Sequence, residues 1–450
     1  MSVNKRGVSD RGARNSKVKG EGVSKEQGEV GKETGSPSRY DIVVVGAGLV
    51  GAAFALRMAR LFADNTSDGG KAGPGKIALL EARALPAPVT PSATRFDPQV
   101  VALTEASRQW LDALGVWQAC TDRACPYSRM SVRDGEGTGC IEFDAAEVQR
   151  SNLGHIVENS LLRASLLSAI AEQDNIDLYC PATVESLCRD GATIIVNLSA
   201  GEQLSSALVV AADGANSPIR AQMGFELSTW GYEHTAITAT LKTEKAHDFA
   251  ARQWFTPSGP LAFLPLRSSA EEGRAAAHYV SIVWSQTPER AEGLMALDEA
   301  EFCRQLTITS EGALGAIEEV SERLQFPLSQ RHGVDYVQRG IALIGDAAHT
   351  IHPLAGQGVN LGFSDARVLA EELGRGLQAG RGLADLQDLK RYQRRRKPDN
   401  LAMMATMEGF KRLFEREELL VRLLRNIGMS GLNRLSPLKN SLIRQAMGLT

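Results

Sequence analysis

The sequence predicts an α/β protein, and three glycine-containing turns carry that prediction. Each turn directly follows a short apolar run of the β type; the turns occupy residues 46–51, 213–220 and 345–358. Apolar strands that end in such turns are the units of a parallel sheet, so we expect a Rossmann-like domain whose parts are separated along the chain. A β-rich stretch before the third turn predicts an inserted β-sheet domain. Helical periodicity after residue 389 predicts a C-terminal helical region.

The composition excludes several classes of protein. A formal net charge of −3 and a pI near 6.2 over 450 residues argue against a nucleic-acid binder. The six cysteines form neither a CxxC pair nor a cluster with histidine at metal-ligand spacing, so we expect reduced thiols, no metal site and a cytoplasmic protein. No apolar run approaches bilayer-spanning length, and no hydrophobic signal segment is present, so secretion and membrane insertion are not expected.

Residues 1–39 combine Ser, Gly, Lys, Arg and Glu with almost no large apolar side chains. Such a segment cannot bury enough surface to offset the entropy of ordering, so we expect a disordered leader. Six Lys or Arg against one Asp in the first nineteen residues would suit a transit peptide, but the four glutamates that follow favour a bacterial tail.

The first turn has the spacing of a dinucleotide-binding loop, with Gly46, Gly48 and Gly51 as its glycines. They permit a tight turn, the approach of a pyrophosphate and close packing of a helix predicted over 52–62. Glu81 ends the next apolar strand and is the predicted acceptor for a ribose hydroxyl. It lies further along the chain than the usual distance of about 20 residues. We attribute the excess to residues 63–75, predicted as a surface loop.

The third turn indicates a flavoenzyme. Asp346 ends an apolar strand, where its carboxylate can accept hydrogen bonds from ribityl hydroxyls. Pro353 stiffens the turn, and Gly356 and Gly358 let the backbone approach a ring system. A helix predicted over 359–373 begins there, and its N-terminus suits the negatively charged edge of a reduced isoalloxazine.

Residues 352–365 read HPLAGQGVNLGFSD. This run resembles the signature of the ubiquinone-biosynthesis hydroxylases, and the resemblance extends from about Asp41 nearly to the last residue. It implies FAD and NAD(P)H as cofactors and the p-hydroxybenzoate hydroxylase fold. It also implies hydroxylation of a polyprenylated phenol by molecular oxygen through a C4a-hydroperoxyflavin. Within this run, Gln357, Val359 and Asn360 join the predicted cofactor-binding residues.

The resemblance also implies roles for residues elsewhere. It places Arg163, on the first turn of a helix predicted over 160–172, against the ribityl chain or the pyrophosphate. A guanidinium fork suits phosphate geometry, although a solvated helix arginine is the alternative. The stretch from Asp213 to Arg220 resembles the family's Asp-Gly motif. In the family, the aspartate and the turn after it stabilise the FAD site and help in using the nicotinamide cofactor.

Gln99 departs from the family pattern, in which an arginine usually stands here near the flavin, and Arg95 is a candidate substitute. A plain helix start, with Thr104 as the cap, explains the same stretch. The departure is the only observation that supports one alternative function, a non-catalytic flavoprotein scaffold of a ubiquinone-synthesis complex. The other alternative is an FAD monooxygenase of a small soluble aromatic compound.

His349 and His352 are the candidate acid or base residues, because an imidazole can move a proton near neutral pH. A histidine inside a tight motif more often serves as a structural hydrogen-bonding residue, and we favour that role. In this family's chemistry the flavin does the difficult step, so we name no further catalytic residue.

The predicted domains follow the motifs. Their boundaries are 1–39 for the leader; 40–119, 154–225 and 330–400 for the FAD-binding domain; 120–153 and 226–329 for the substrate domain; and 401–450 for the C-terminal helical region.

The basic C-terminal stretch from residue 389 carries fourteen Lys or Arg against five Asp or Glu. Its apolar residues, among them Phe414 and Met429, could cover the FAD domain, a partner subunit or an anionic membrane surface. We favour packing within the protein. Contact with the inner membrane face, or with other proteins of ubiquinone biosynthesis, is the alternative.

Overall fold

A computed structural model gives the fold. It describes residues 36–67, 75–85, 94–267, 277–350, 358–415, 418, 426–431, 433 and 435–448. The chain divides into two units, Met1–Ser36 and Pro37–Thr450, and the description below concerns the second. The predicted leader, apart from its last four residues, lies outside the described residues.

The first sheet has eight strands and contains the three predicted turns at its strand ends. Its strands are β1 (Ser38–Val45), β2 (Ile77–Leu80), β8 (Ile176–Tyr179), β9 (Val184–Asp190), β10 (Thr193–Leu198), β11 (Gln203–Ala211), β18 (Val337–Gln338) and β19 (Ile341–Leu343). Neighbours β19, β11, β1, β2 and β8 run parallel, while β18, β10 and β9 add antiparallel edges. Because β19, β11 and β1 are adjacent and parallel, their carboxyl ends bring the three turns together.

The second sheet has nine strands. They are β5 (Arg129–Asp134), β6 (Cys140–Asp144), β12 (Leu227–Thr243), β13 (Ala250–Thr256), β14 (Gly259–Pro265), β15 (Tyr279–Gln286), β16 (Ile317–Val320), β17 (Leu324–Gly333) and β20 (His349–Thr350). The third sheet is small and consists of β3 (Val100–Thr104), β4 (Cys125–Tyr127) and β7 (Gly154–Glu158).

The helices are α1 (Leu49–Ser67), α2 (Glu105–Ala113), α3 (Asn159–Ala171), α4 (Pro218–Gln222), α5 (Pro288–Ala296), α6 (Glu299–Thr309), α7 (Gly358–Gln378), α8 (Leu386–Glu415) and α9 (Ser436–Ala446). Side chains of α1, α3 and α7 share one buried core with the first sheet. This arrangement confirms the predicted α/β class with an inserted β-sheet and C-terminal helices.

One local prediction differs from the structure. Helix α1 continues to Ser67, so the segment predicted as a loop over 63–75 begins as helix. The reason is that no Gly or Pro interrupts residues 63–67. In addition, β4 pairs with β7 in the third sheet, although the predicted boundaries put residues 120–153 with the substrate domain. The domain boundaries themselves stay a prediction.

The two faces of the second sheet have different neighbours. Trp254, Phe263 and Trp284 on one face pack with side chains of α5 and α6. On the other face, Leu264 belongs to a buried cluster that also contains Ile156 of the third sheet. The second face therefore packs against the third sheet.

Part of the C-terminal region packs on the second sheet. The ring of Phe414 in α8 stacks on Phe255 of β13 with centroids 4.1 Å apart, and Met429 joins the same cluster. Ile443 and Met447 reach the cluster of Leu264. These contacts agree with the expectation that this region packs within the protein. Among the described residues, no helix combines the length and the apolarity needed to cross a membrane.

Candidate functional site

The first turn is closely packed at two glycines and open at the third. A Cβ added to Gly46 would overlap the carbonyl oxygen of Ala212, and one added to Gly51 would overlap that of Gly46. A Cβ on Gly48, in contrast, would meet no heavy atom of the described residues within 4 Å. Because α1 begins at Leu49, the open side of Gly48 lies at a helix N-terminus, where unpaired N–H groups suit a phosphate.

Glu81 and Arg163 meet beside this turn. Arg163 on α3 donates from Nη2 to Oε2 of Glu81 at 2.9 Å and from Nε to the carbonyl oxygen of Ala47 at 3.2 Å. Glu81 follows β2, whose residue Leu80 accepts a hydrogen bond from the N–H of Gly46. The structure thus brings together the first turn, Glu81 and Arg163, which the sequence indicated separately. The ion pair between Arg163 and Glu81 was not predicted.

In the second turn, one carboxylate oxygen of Asp213 has no partner within the described part of the chain. Oδ2 accepts a hydrogen bond from the N–H of Ile219 at 3.2 Å, whereas the buried Oδ1 has no partner among the described residues. Burial raises the pKa of this carboxyl group. A buried acceptor of this kind is costly unless a ligand or a water supplies a donor.

Arg220 connects the second turn to the third. Its buried guanidinium donates to the carbonyl oxygens of Ala347 and Ala215 at 2.9 and 2.8 Å. The sequence marked Arg220 only as the positive end of its turn. The contact to Ala347 shows that it holds two distant motifs at one place.

In the third turn, Gly345 adopts a φ of +59° directly after β19, and Asp346 follows it. The side chain of Asp346 is exposed to solvent, and the protein atoms around it disfavour the charged form and so raise the pKa of its carboxyl group. Helix α7 begins at Gly358, where an added Cβ would meet nothing within 4 Å among the described residues. A second open helix N-terminus therefore belongs to the site.

Four predicted site residues, His352, Pro353, Gly356 and Gln357, lie outside the described residues. Val359 packs against the core of the first sheet. Asn360 accepts a hydrogen bond from the N–H of Thr104 at 3.0 Å and donates to the carbonyl oxygen of Ala102 at 2.8 Å. It thus ties the start of α7 to β3, and its role toward a cofactor stays a prediction.

A buried charge network lies behind the third turn. Oδ2 of Asp365 accepts hydrogen bonds from the N–H of Gly345 at 3.1 Å and from Nε2 of His349 at 2.5 Å. Oδ1 accepts from Nε of Arg396 at 2.9 Å and from Nδ2 of Asn400 at 3.3 Å. Burial alone would raise the pKa of Asp365, but His349 and Arg396 outweigh it and hold the pKa below its usual value.

The network continues to the second sheet. Nδ2 of Asn400 lies 3.2 Å from the hydroxyl of Tyr336, which lies 2.8 Å from Nε2 of His332. Burial lowers the pKa of His332 to about 4. In the β17–β20 pairing His332 stands opposite His349, so a continuous polar path joins α7, α8 and the second sheet. With its Nε2 bound to a buried carboxylate, His349 is placed for structural hydrogen bonding; its catalytic role stays a prediction.

The sequence did not indicate Arg396, Asn400, Tyr336 or His332 as part of the site. Arg396 stands within the run Arg394–Lys397, which composition alone interprets as a basic surface. Neither Gln99 nor Arg95 is buried, and the N–H of Gln99 donates to Oδ1 of Asp97 at 2.8 Å. Thr104 caps α2 through its hydroxyl, as the plain helix start predicts.

A buried apolar cluster lies beside the site. Leu264 and Leu266, from β14 and just beyond it, share a buried cluster with Ala102 and Ile156 of the third sheet. Tyr279 packs on Phe96 with ring centroids 5.3 Å apart. Because Ala102 also accepts the hydrogen bond from Asn360 at the start of α7, this apolar cluster adjoins the open helix end.

Comparison with known proteins places these features in one family. Residues 39–406 match the model of the FAD binding domain family. The chain is 35% identical to the 3-demethoxyubiquinol 3-hydroxylase of Escherichia coli K12, over 91% of this chain and 98% of that protein. It is 33% identical to the ubiquinone hydroxylase UbiL of Rhodospirillum rubrum, over 93% and 92%. It is 32% identical to the mitochondrial ubiquinone biosynthesis monooxygenase COQ6 of Xenopus tropicalis, over 94% and 96%.

Solved structures show the same fold. The p-nitrophenol 4-monooxygenase PnpA of Pseudomonas putida DLL-E4 superposes with a TM-score of 0.70 at 18% identity, covering 91% of this chain and 98% of that chain. The probable FAD-dependent monooxygenase pqsL of Pseudomonas aeruginosa gives 0.69 at 23% identity, covering 88% and 100%.

Proposed function

The chain belongs to the FAD-dependent hydroxylases of ubiquinone biosynthesis, a family of flavin monooxygenases, and from this premise we propose that it hydroxylates the ring of a polyprenylated phenol. FAD is its cofactor, and NAD(P)H is the reductant typical of the family. When bound, FAD activates molecular oxygen for transfer to an electron-rich ring carbon.

The observation that carries the proposal is the fit of the three strand-end turns to FAD. The open N-terminus of α1 at Gly48 would receive the pyrophosphate, and Glu81 would accept a ribose hydroxyl. Asp213 has a buried oxygen that needs a donor, which a ligand hydroxyl can supply. Asp346 presents an accessible carboxylate for the ribityl chain. Within the described residues, Gly48 is open and Oδ1 of Asp213 has no partner, whereas the Glu81 carboxylate is already held by Arg163.

The chain's own residues would bind, orient and exclude water. The N-terminus of α7 at Gly358 would stabilise negative charge on the reduced ring through its dipole and free N–H groups. The Asp365 network would hold the third turn in place from behind. The apolar cluster around Leu264 would keep water from the reacting ring, since a dry site protects the activated oxygen from loss.

A phenol with a prenyl tail suits surroundings built by this apolar cluster better than a charged aromatic compound does. Pockets for such ligands are mainly apolar with a few placed polar groups. The clusters of the second and third sheets around Leu264, Ile156 and Phe96 have this character.

The test is aerobic NAD(P)H oxidation by the FAD-loaded protein with a short-chain 2-prenylphenol, followed by mass spectrometry of the organic product. We expect a gain of one oxygen atom that requires both FAD and NAD(P)H. The same assay with a small soluble phenol examines the alternative substrate class. Bound FAD without turnover on either phenol would favour the scaffold alternative instead.

A matched pair of variants checks the FAD assignment. Asp346→Asn removes a carboxylate from the site, whereas Asp335→Asn changes an exposed carboxylate that binds Gln393. We expect weaker FAD binding only for the first variant.

We also infer contact between the C-terminal helices and an anionic membrane surface, with the protein itself in the cytoplasm. The region is basic, and Ile427 and Leu435 are more than half exposed. Basic charge beside exposed apolar side chains favours a lipid surface. Sedimentation with vesicles that contain anionic lipid, compared with neutral vesicles, tests this contact. Binding to neither, together with capture by another enzyme of the pathway, would favour a protein partner.

A further inference from the structure

We propose that Thr238, Thr240 and Ser281 form a hydroxyl subsite that binds the uncharged oxygen substituents of the aromatic substrate. The inference rests on the function proposed above and concerns how the ring is recognised. Its support is a group of three buried hydroxyls on one face of the second sheet, none of which has a hydrogen-bond partner among the residues that the structure describes.

The three side chains share the face that looks toward the site. In the strand register, Thr240 stands opposite Ser281, and Ser281 stands opposite Leu264. Residues directly opposite in antiparallel strands project from the same face. Thr238 lies two residues before Thr240 on β12 and opposite Val283. Leu264 and Val283 both belong to the cluster with the third sheet, so the hydroxyls lie on its side.

The spacing of the hydroxyls suits one ring. Opposite residues have Cβ atoms about 5 Å apart, and alternate residues on a strand are roughly 7 Å apart. The three hydroxyls therefore cluster within the width of a substituted aromatic ring.

The hydroxyls lack hydrogen-bond partners within the described part of the chain. Thr238, Thr240 and Ser281 are 4%, 7% and 1% exposed, and none of their side-chain oxygens has a partner there. An unmet buried hydroxyl costs about 1–3 kcal/mol, so three together are unusual in a core without a function. Thr243, further along the same strand, shows the ordinary arrangement: its hydroxyl lies 2.8 Å from the carbonyl oxygen of Lys245 and 3.0 Å from that of His278.

The neighbours of the hydroxyls indicate the chemical class of the ligand. Across β14, β15 and β12, one row on this face contains Leu264, Ser281 and Thr240, and the next contains Ala262, Val283 and Thr238. Neither row carries a charge, so a carboxylate on the ring would find no counter-ion there. Each hydroxyl can both donate and accept, which serves a phenol O–H as well as an ether oxygen.

The test compares three probes with the FAD-loaded full chain: 2-prenylphenol, 2-prenyl-6-methoxyphenol and prenylbenzene, which has no ring oxygen. Equilibrium titration followed by the flavin absorbance gives each Kd without turnover. We expect the two oxygenated probes to bind at least roughly ten-fold more tightly than prenylbenzene, since one or two neutral hydrogen bonds give about that ratio. The triple variant combines Thr238→Val, Thr240→Val and Ser281→Ala. In it we expect the Kd of prenylbenzene divided by the Kd of either oxygenated probe to approach one, while the Kd of prenylbenzene stays unchanged.

Thermal unfolding of the probe-free holoprotein gives a second readout. Replacing an unmet hydroxyl by a methyl group of similar shape should leave Tm unchanged or raise it. Thr243→Val is the matched control, because it removes a satisfied hydroxyl; it should lower Tm and leave the probe ratio unchanged. If the triple variant does not fold, Thr240→Val and Ser281→Ala alone make the same comparison.

The outcomes separate the two proposals. A parent protein that binds all three probes equally would retain the proposed function but contradict the hydroxyl subsite. A protein that binds none of them would contradict both. A variant with lowered Tm and an unchanged probe ratio would show that the hydroxyls have structural partners instead.

Discussion

Nε2 of His349 lies 2.5 Å from Oδ2 of Asp365, and both side chains are almost completely buried. His349 belongs to β20, and Asp365 lies on α7, so the pair joins the strand that precedes residues 351–357 to the helix that follows them. Arg396 of α8 occupies the other carboxylate oxygen. A buried carboxylate with this many donors is stabilised as an anion, which is why its pKa is lowered in spite of burial.

Asp365→Asn should destabilise the protein strongly. The substitution leaves Arg396 and His349 buried without their carboxylate, and breaking a buried pair from one side costs about 3–5 kcal/mol. Urea unfolding of the FAD-free protein measures the loss directly. FAD affinity should also fall, because Asn offers one acceptor oxygen where Gly345, His349 and Arg396 use two, so the third turn is held less well.

Asp399→Asn is the matched control for that change. Asp399 binds the same Arg396 at 2.8 Å, but its side chain is 65% exposed. Exposed ion pairs contribute about 0–1 kcal/mol. If Asp365→Asn and Asp399→Asn lowered the free energy of unfolding by equal amounts, the structural role assigned to the buried network would be contradicted.

The sequence could predict those parts of the site that depend on local pattern. The turn around Gly46–Gly51 follows an apolar strand and precedes a helix, a pattern that requires glycine for a tight turn. The structure has this turn, and an added Cβ at Gly46 or Gly51 would overlap a carbonyl oxygen. Arg396 could not be predicted in the same way. It stands among other basic residues, and only the packing of α8 on α7 decides that this one is buried while Arg394 and Arg395 are not. The grouping of the Thr238, Thr240 and Ser281 hydroxyls on one face also depends on tertiary register, because Thr and Ser fit any strand.

Gly51→Ala should lower stability, whereas Gly48→Ala should weaken FAD binding. A methyl group at Gly51 would overlap the carbonyl oxygen of Gly46, so Gly51→Ala should lower the Tm of the FAD-free protein. Gly48 has open space, so Gly48→Ala should leave that Tm nearly unchanged but weaken FAD binding, since the methyl group would occupy the approach to the helix end. Thermal unfolding and FAD titration of both variants check this. A loss of FAD-free stability at Gly48 would argue against an open ligand face.

His247 should make stability depend on pH. Its Nδ1 accepts a hydrogen bond from the N–H of Phe249 at 3.0 Å, and Nε2 lies 2.9 Å from the carbonyl oxygen of Leu266, so the buried ring is neutral. Burial lowers its pKa from the ordinary 6.5 to about 4. Between these values the unfolded chain binds a proton that the folded protein does not, so stability falls as the pH falls from 6.5 to 4.

The variant His247→Gln isolates this contribution, because it has no titrating group at the position. The quantity to follow is the free energy of unfolding of the parent protein minus that of the variant. We expect this difference to fall by about 2–3 kcal/mol as the pH falls from 7 to 4. Other buried histidines, such as His332, titrate in both proteins and cancel in the difference. Parallel pH profiles for the two proteins would contradict the neutral state of His247.

Arg163 and Glu81 should act on FAD binding as one unit. The guanidinium of Arg163 holds both the Glu81 carboxylate and the carbonyl oxygen of Ala47, so it orients the group that we assign to the ribose and steadies the turn for the pyrophosphate. Arg163→Met keeps the apolar stem and should raise the Kd for FAD roughly ten-fold or more. Arg304→Met, which breaks an exposed pair with Glu301 on α6, should leave it unchanged.

A double-mutant cycle decides between a shared and a separate role for this pair. If Arg163 acts through Glu81, the variant with both Arg163→Met and Glu81→Gln should bind FAD little worse than either variant alone, with a coupling of about 1–2 kcal/mol. Additive losses would instead mean that each side chain contacts FAD independently, with Arg163 directly on the pyrophosphate or the ribityl chain. The ion pair at 2.9 Å favours the coupled result, because a guanidinium committed to Glu81 and Ala47 has fewer donors left for a phosphate.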